Sequence, residues 1–352
     1  MSQTSTPAQS PAVATAGERV DETADRTADP TADSTADPTV KETVEELPRP
    51  RRFADVKGWF WPADQLLFDW FLTHQRDTDP QGRGDLLELG AYLGKSAIFV
   101  GGYLRDGEEF TVCDLWDSPA PDDPNSAEMG RSYSTLTRRA FEANYLSFHE
   151  TLPTLVQAPT SVITSRVGPG SCRFVHVDAS HLYEHVHGDI EAARELLQPE
   201  GIVAFDDFRA EHCPGVSAAV WGAVPTTGLK PICITGTKLY GTWGDPAPVR
   251  EALLAWLGTR EDLWHGVEEV AGRPLIRIKG TKAKVPAQPR SRHEPEPDSA
   301  PEPAPEPRVA ASAPRVPAAA TSPRPPRSRI RRLVRDLLPP ILTRAIVRRR
   351  KA

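Results

Sequence analysis

Large side chains are missing from the first 47 residues, which contain no Phe, Trp or Tyr. Such a stretch cannot bury enough apolar surface to offset chain entropy, which excludes a folded N-terminal domain. Long apolar runs are absent too. None approaches the ~20 residues of a membrane-spanning helix. The start, MSQTSTPAQSPAVATAG, has no basic stretch followed by an apolar block, so no secretion signal is expected. Cysteine is scarce. The four present, Cys113, Cys172, Cys213 and Cys233, are widely spaced and form no CxxC pair. That excludes a disulfide scaffold and a zinc ribbon, and points to a reduced, cytoplasmic setting.

Proline is plentiful but unevenly placed. Of 36 in the chain, 13 fall between residues 281 and 327, in a background of Ala, Ser, Glu and Arg. Composition divides the chain into four parts: an acidic disordered tail over 1–52, one folded domain over 53–280, a Pro-rich disordered linker over 281–327, and a basic segment over 328–352. Thr-Ala-Asp recurs every four residues at 23, 27, 31 and 35, but Pro30 and Pro38 interrupt it and its like charges repel at that spacing. The net charge of −6 conceals an asymmetry: residues 324–352 carry +10, leaving −16 on the rest. An acidic body is a poor match for nucleic acid, which needs a basic face.

Within 53–280, helical and strand-like patterns alternate. Leu66, Leu67, Trp70 and Phe71 have helical spacing. Short apolar runs end in Glu88 before Leu89-Gly90, in Asp114, in Asp178 and in Asp206-Asp207, with helical stretches between them. The segments 229–235 and 238–243 read as a late hairpin. Strands alternating with helices imply a parallel, doubly wound sheet, and ligands bind outside the carboxyl ends of such strands. The four acids Glu88, Asp114, Asp178 and Asp206 are therefore expected to converge on one crevice. Glu88-Leu-Gly90-Ala-Tyr-Leu-Gly94-Lys-Ser96 is a strand, a glycine turn and a helix start. It is ExGxxxG rather than the dinucleotide GxGxxG, and an anion at position 88 would repel a pyrophosphate. Glu88 suits a cationic amino group, Asp114 the two hydroxyls of a ribose, and Trp116 the face of an adenine. The bland readings are a loop acid or helix cap for each carboxylate and a core position for Trp116.

The runs LLELGAYLGKSAIFVGGYL, FTVCDLWD and FVHVDASHLYEHVHGDIEAARELLQPEGIVAFDDF resemble class I S-adenosylmethionine-dependent methyltransferases of the family 24 branch, and are similar to antibiotic-tailoring sugar O-methyltransferases. The resemblance spans roughly residues 57–275. It implies a Rossmann-like, mostly parallel seven-stranded sheet with helices on both faces and an antiparallel terminal hairpin. It implies that Glu88, Gly90 and Gly94 hold the methionine part of S-adenosylmethionine, that Asp114 holds the ribose, and that Ser161 borders the adenine; Ser96, at the helix start, is also expected at the cofactor. It further implies that Asp178, Asp206 and Asp207 bind Mg²⁺, with catalysis by Asp178 and by His181 as the base. The acid that such enzymes carry two residues after the first Asp is Ser180 here, so either His181 has taken its role or the metal reading fails. A loop histidine can equally cap the next helix, and Asp207 can simply close a turn. His185 and His187 read as solvated helix residues. Trp59, Phe60 and Trp61 are core or a lid over the acceptor.

The expected activity is methyl transfer to a small molecule, an O-methylation of a sugar or other hydroxylated natural product. The rivals are a dehydrogenase on a related sheet and a non-catalytic adaptor that keeps the fold. In the C-terminal segment, Ile330, Leu333, Val334, Leu337 and Leu338 share one helical face and Arg329, Arg331, Arg332 and Arg335 the other. That pattern suits peripheral contact with an anionic membrane or an acidic protein.

Overall fold

The computed structural model describes residues 47–132 and 136–294. The expectations for residues 1–46 and 295–352, including the basic segment, lie outside the described residues.

In chain order the elements are α1 (Pro62–Thr78), β1 (Asp85–Leu89), α2 (Lys95–Gly101), β2 (Phe110–Asp114), α3 (Asp123–Ser132), α4 (Arg138–Leu146), β3 (Thr154–Gln157), β4 (Cys172–Val177), α5 (Tyr183–Leu196), β5 (Leu197–Phe205), α6 (Pro214–Thr226), β6 (Lys230–Ile234), β7 (Leu239–Thr242), α7 (Ala247–Leu257), β8 (Trp264–Val270) and β9 (Arg273–Lys279). The strands form one sheet in the order β3-β2-β1-β4-β5-β7-β6-β9-β8. From β3 to β5 all pairings are parallel. β7 is antiparallel to both of its neighbours, and β8 to β9. The doubly wound, mostly parallel class therefore holds, and the expected hairpin is β6–β7.

The count of seven strands is corrected to nine among the described residues. The edge strand β8 reads Trp-His-Gly-Val-Glu-Glu-Val, and none of its seven residues is buried. It lacks the apolar alternation that marks a strand with one buried face.

The sheet buries two different faces, because successive strand residues point to opposite sides. Leu86, Phe110, Phe174, Ile202 and Ile276 pack with Leu67, Phe68 and Phe71 of α1, Ile98 and Phe99 of α2, Phe141 of α4 and Leu253 of α7. Leu87, Leu89, Val175, Val177, Val203 and Phe205 pack with Val186, Ile190 and Leu196 of α5 and Val216 and Val220 of α6. α1 starts where Pro62 presets its first φ, and Leu67, Phe68, Phe71 and Leu72 give it one apolar face. Each such side chain contributes about 1.5–3 kcal/mol by leaving water.

The strand order reverses between β1 and β4, whose connections leave in opposite directions, and this is where a ligand crevice is expected. After β9 the chain runs on across the body. Lys284 N–H donates to Asp262 Oδ2 at 2.9 Å, Gln288 Nε2 to Gln65 Oε1 at 3.1 Å, Ser291 Oγ to Pro50 O at 2.6 Å and Arg292 N–H to Ser147 O at 2.7 Å. An isolated antiparallel bridge joins Arg52 to Arg290. Residues 281–294, the expected start of the linker, are thus held to the domain by their own backbone and side-chain hydrogen bonds.

Candidate active site

A crevice of about 1730 Å³ opens at the carboxyl ends of β1, β2, β4 and β5. Gly90, Ser96, Asp114, Ser161, Asp178, His181, Asp206 and Asp207 all line it. Of the four strand-end acids, three meet there as expected.

Glu88 does not line it. It is the penultimate residue of β1, so its side chain lies on the α1 face, opposite to Leu87 and Leu89. It is fully buried, and its Oε1 lies 2.7 Å from Nδ1 of His176, its register partner on β4. Burial pushes the Glu88 carboxyl up to about 8, although the Ser96 hydroxyl and the Lys238 charge pull the other way. A direct partner for a cofactor amino group is therefore not what this buried carboxylate offers.

At the cofactor end, Gly90 has φ +80° and Gly94 φ +90°. A Cβ at Gly90 would collide with the Asp178 backbone, so the β1 and β4 ends can approach only because this residue is glycine. Asp114 holds the turn shut. Its Oδ2 accepts from the N–H groups of Ala91 (2.7 Å) and Tyr92 (3.0 Å), and its Oδ1 from Trp116 N–H (2.8 Å). A carboxylate has about four acceptor sites, so room for a ribose hydroxyl remains after these three. Burial raises the Asp114 pKa, opposed by those three amides. Ser96 on α2 and Ser161, in the short 3-10 helix Thr160–Ser165, also line the crevice.

Trp116 is corrected to a core residue. Its backbone is left-handed (φ +47°), which turns the indole away from the crevice onto Phe141, with ring centroids 5.1 Å apart and only 1 % of the residue exposed. At the mouth, Trp59 and Trp61 are exposed and line the crevice, and Trp59 stacks on Tyr92 at 5.8 Å. Phe60, between them, is core.

At the other end, His181 Nε2 lies 3.0 Å from Asp207 Oδ2. Burial pushes the Asp207 carboxyl up, but the hydrogen bond and charge of His181 outweigh it, and the net shift is downward. Asp207 has φ +50°, so it faces differently from Asp206 beside it. Burial, then the Asp206 charge, raise Asp178 well above the ordinary carboxylate range. His185, read from sequence as solvated, is half-buried: its Nε2 lies 2.9 Å from Asp122 Oδ2 and its Nδ1 3.0 Å from Ser180 Oγ. The carboxylate can only accept, so Nε2 carries a hydrogen. His187 takes no part.

Two residues that the sequence reading passed over complete the floor. Lys238 is 1 % exposed, and its Nζ ion-pairs with Asp206 Oδ2 and lies 3.0 Å from His176 Nε2. An ammonium only donates, so His176 accepts at Nε2 and donates from Nδ1 to Glu88. Burial lowers the Lys238 pKa, but the charges of Asp206, Asp178 and Asp64 more than reverse this, and the net shift is upward. Asp64 of α1 is also buried. It accepts from Thr235 Oγ1 (2.8 Å) and Tyr240 OH (2.8 Å) at Oδ1 and from Thr237 Oγ1 (2.6 Å) at Oδ2. A helix acid and a lysine beside a hairpin turn carry no local signal; only the folded sheet brings them together.

The expected Mg²⁺ ligands Asp178, Asp206 and Asp207 all line the crevice but divide between two side-chain groups. Asp178 and Asp206 group with His176, their potential ligand atoms within 4.8 Å of one another, whereas Asp207 groups with His181 and Cys213. A site that includes an imidazole already hydrogen-bonded at both nitrogens does not fit a cation that demands octahedral oxygen ligands and retained waters.

A family model described as a methyltransferase domain matches residues 87–208, from β1 to just beyond β5. No curated protein sequence matches the chain. Solved structures similar to it include a TDP-rhamnose 3′-O-methyltransferase of calicheamicin biosynthesis, at 20 % identity over 52 % of this chain and 80 % of that one, with a TM-score of 0.36. The O-methyltransferase NovP aligns at 16 % identity over 52 % and 81 % of the two chains, with a TM-score of 0.40. An O-methyltransferase from Bacillus cereus, in complex with S-adenosylhomocysteine, aligns at 13 % identity over 54 % and 85 %, with a TM-score of 0.35. Over residues 87–208, about a third of its length, the chain thus carries a methyltransferase domain.

Proposed function

We propose that this enzyme moves the methyl group of S-adenosylmethionine to a hydroxyl oxygen of a small acceptor, a sugar or another hydroxylated natural product. The observation that carries the choice of oxygen is the His181–Asp207 pair at the far end of the crevice. A hydroxyl has a pKa far above neutrality, so its proton must leave as the new bond forms. The acceptor oxygen attacks the sulfonium methyl carbon, the carbon–sulfur bond breaks with its electron pair left on sulfur, and the hydroxyl proton passes to His181. Asp207 fixes the imidazole and stabilises the imidazolium as it appears. Asp114 binds the ribose, the Gly90–Gly94 turn gives the cofactor close backbone access, Ser96 and Ser161 border it, and Asp178 faces the reacting groups.

Calorimetric titration with S-adenosylhomocysteine, followed by a screen of hydroxylated acceptors, tests this reading. On the acceptor found, His181→Ala is expected to lower kcat by about 10²–10⁴-fold while S-adenosylhomocysteine affinity stays near wild type. Wild-type turnover in that variant would remove His181 from the mechanism.

For the segment 328–352 we propose attachment to an anionic membrane surface. Among the described residues no helix is long and apolar enough to cross a membrane. The segment's basic amphipathic sequence supports the reading, since each Lys or Arg near an anionic leaflet contributes about 1 kcal/mol. Truncation after Glu294 is expected to abolish salt-sensitive sedimentation with anionic vesicles and to leave cofactor affinity intact. If full-length protein ignores such vesicles at low salt, an acidic protein becomes the partner to seek.

A further inference from the structure

We propose that this methyltransferase needs no divalent cation, because the buried ammonium of Lys238 is the cation of its carboxylate cluster. The inference rests on the methyltransferase reading and parts company with the Mg²⁺ that the family resemblance implies.

The argument is one of competition for the same ligand atoms. In the cluster of His176, Asp178 and Asp206, a metal would have to draw on atoms within 4.8 Å of one another. His176 has none to give: Lys238 donates to its Nε2 at 3.0 Å and its Nδ1 is spent on Glu88 at 2.7 Å. Asp206 already holds Lys238 Nζ at Oδ2 and the Asp207 N–H at Oδ1 (2.8 Å), so a metal would have to compete with an ammonium for it. The third expected ligand, Asp207, has turned to His181. A divalent ion seated here would also meet Nζ at close range, with like charges repelling in a water-poor site.

Lys238 is not a chance visitor from solvent. It lies 1 % exposed at the head of β7, with its Nζ 5.9 and 5.7 Å from the ring centroids of Phe60 and Phe68. Rings at that distance favour a cation by their quadrupoles. Being covalent, this charge cannot be stripped by a chelator or exchanged for another ion. It reaches the crevice only through Asp206, which makes it a positioning residue.

The experiment uses full-length protein freed of metal with EDTA. Mn²⁺ binding is followed by electron paramagnetic resonance and S-adenosylhomocysteine affinity by calorimetry, for wild type, Lys238→Met, Asp206→Asn and the double variant Lys238→Met/Asp178→Asn. Wild type is expected to bind S-adenosylhomocysteine equally with and without EDTA and to show no stoichiometric Mn²⁺ site. Lys238→Met, its ammonium replaced by an uncharged chain of similar length, is expected to bind Mn²⁺ about tenfold tighter than wild type, a gain lost in the double variant. A folded Lys238→Met that gains no Mn²⁺ affinity would overturn the proposal. If that variant fails to fold, wild type decides. A stoichiometric Mn²⁺ site that Asp206→Asn abolishes, or an acceptor whose methylation stops in EDTA and returns with Mg²⁺, overturns the proposal. Absence of both upholds it. Failure to bind S-adenosylhomocysteine under every condition would strike at the methyltransferase reading instead, and the Mn²⁺ results would still judge Lys238.

Discussion

The two faces of this sheet solve the same packing problem with different chemistry. Against α5 and α6, Leu87, Leu89, Val175, Val177, Val203 and Phe205 meet aliphatic side chains. Against α1, the same strands present Glu88 and His176 among Phe68, Phe174 and Tyr240, and Lys238 and Asp64 close the set. The first face stabilises the fold by removing apolar surface from water. The second gives up some of that gain to bury charges directly under the crevice, where a low dielectric strengthens their hold on Asp206 and Asp178. The difference teaches where function enters this fold: through one face of β1, β4 and β7, near their ends.

Substitutions on the two faces sharpen this contrast. Lys238→Met should cost about 3–5 kcal/mol, because Asp206 and Asp64 are left buried without their cation; urea denaturation will show it, and a loss under about 1 kcal/mol would mean that the network is solvated after all. Asp114→Ala, at the crevice itself, should weaken S-adenosylhomocysteine binding by about 1.5–3 kcal/mol per charge-assisted hydrogen bond lost, and unchanged affinity in a folded variant would remove Asp114 from the cofactor site. On the apolar face, Ile190→Val should cost only about 0.5–1.5 kcal/mol and leave cofactor binding untouched.

A separate effect lies in pH dependence. The Glu88 carboxyl, ordinarily near 4.5, is pushed up to about 8 by burial. Between those values the folded chain keeps a proton that the unfolded chain has released, so this group makes stability fall as pH rises. Glu88→Gln retains an acceptor for His176 Nδ1 and loses the titration. Its stability curve from about pH 5 to pH 8 should therefore decline less than that of wild type, and parallel curves would show that Glu88 ionises normally.

Much of the crevice was legible because glycines and strand-end acids leave local marks. Gly90 and Gly94 adopt the left-handed backbone that their spacing suggested, and Asp114, Asp178 and Asp206 meet at the switch point. Glu88 was misplaced by a matter of parity. One residue along a strand reverses the face, and the sequence shows an acid near a strand end without showing which way it points. Trp116 went wrong because its backbone enters the left-handed region without a glycine to announce it. His185 looked solvated because its partner Asp122 lies 63 residues earlier, in the loop before α3. Lys238 reaches His176 across 62 residues and Asp64 accepts from Tyr240 across 176, separations at which periodicity says nothing. The edge pair β8–β9 escaped because β8 buries none of its residues.

The contacts between residues 50–52 and 290–291 carry a mechanical consequence. Ser291 Oγ binds Pro50 O and Arg290 bridges Arg52, so the domain's two ends are fastened to each other like a buckle. Tension applied through the chain on either side of the domain would load this short antiparallel clasp first. The route for that force bypasses β1, β4 and the crevice at their ends. A domain buckled in this way can be pulled on from outside and still keep the strand ends of its crevice in register, until the clasp itself gives way.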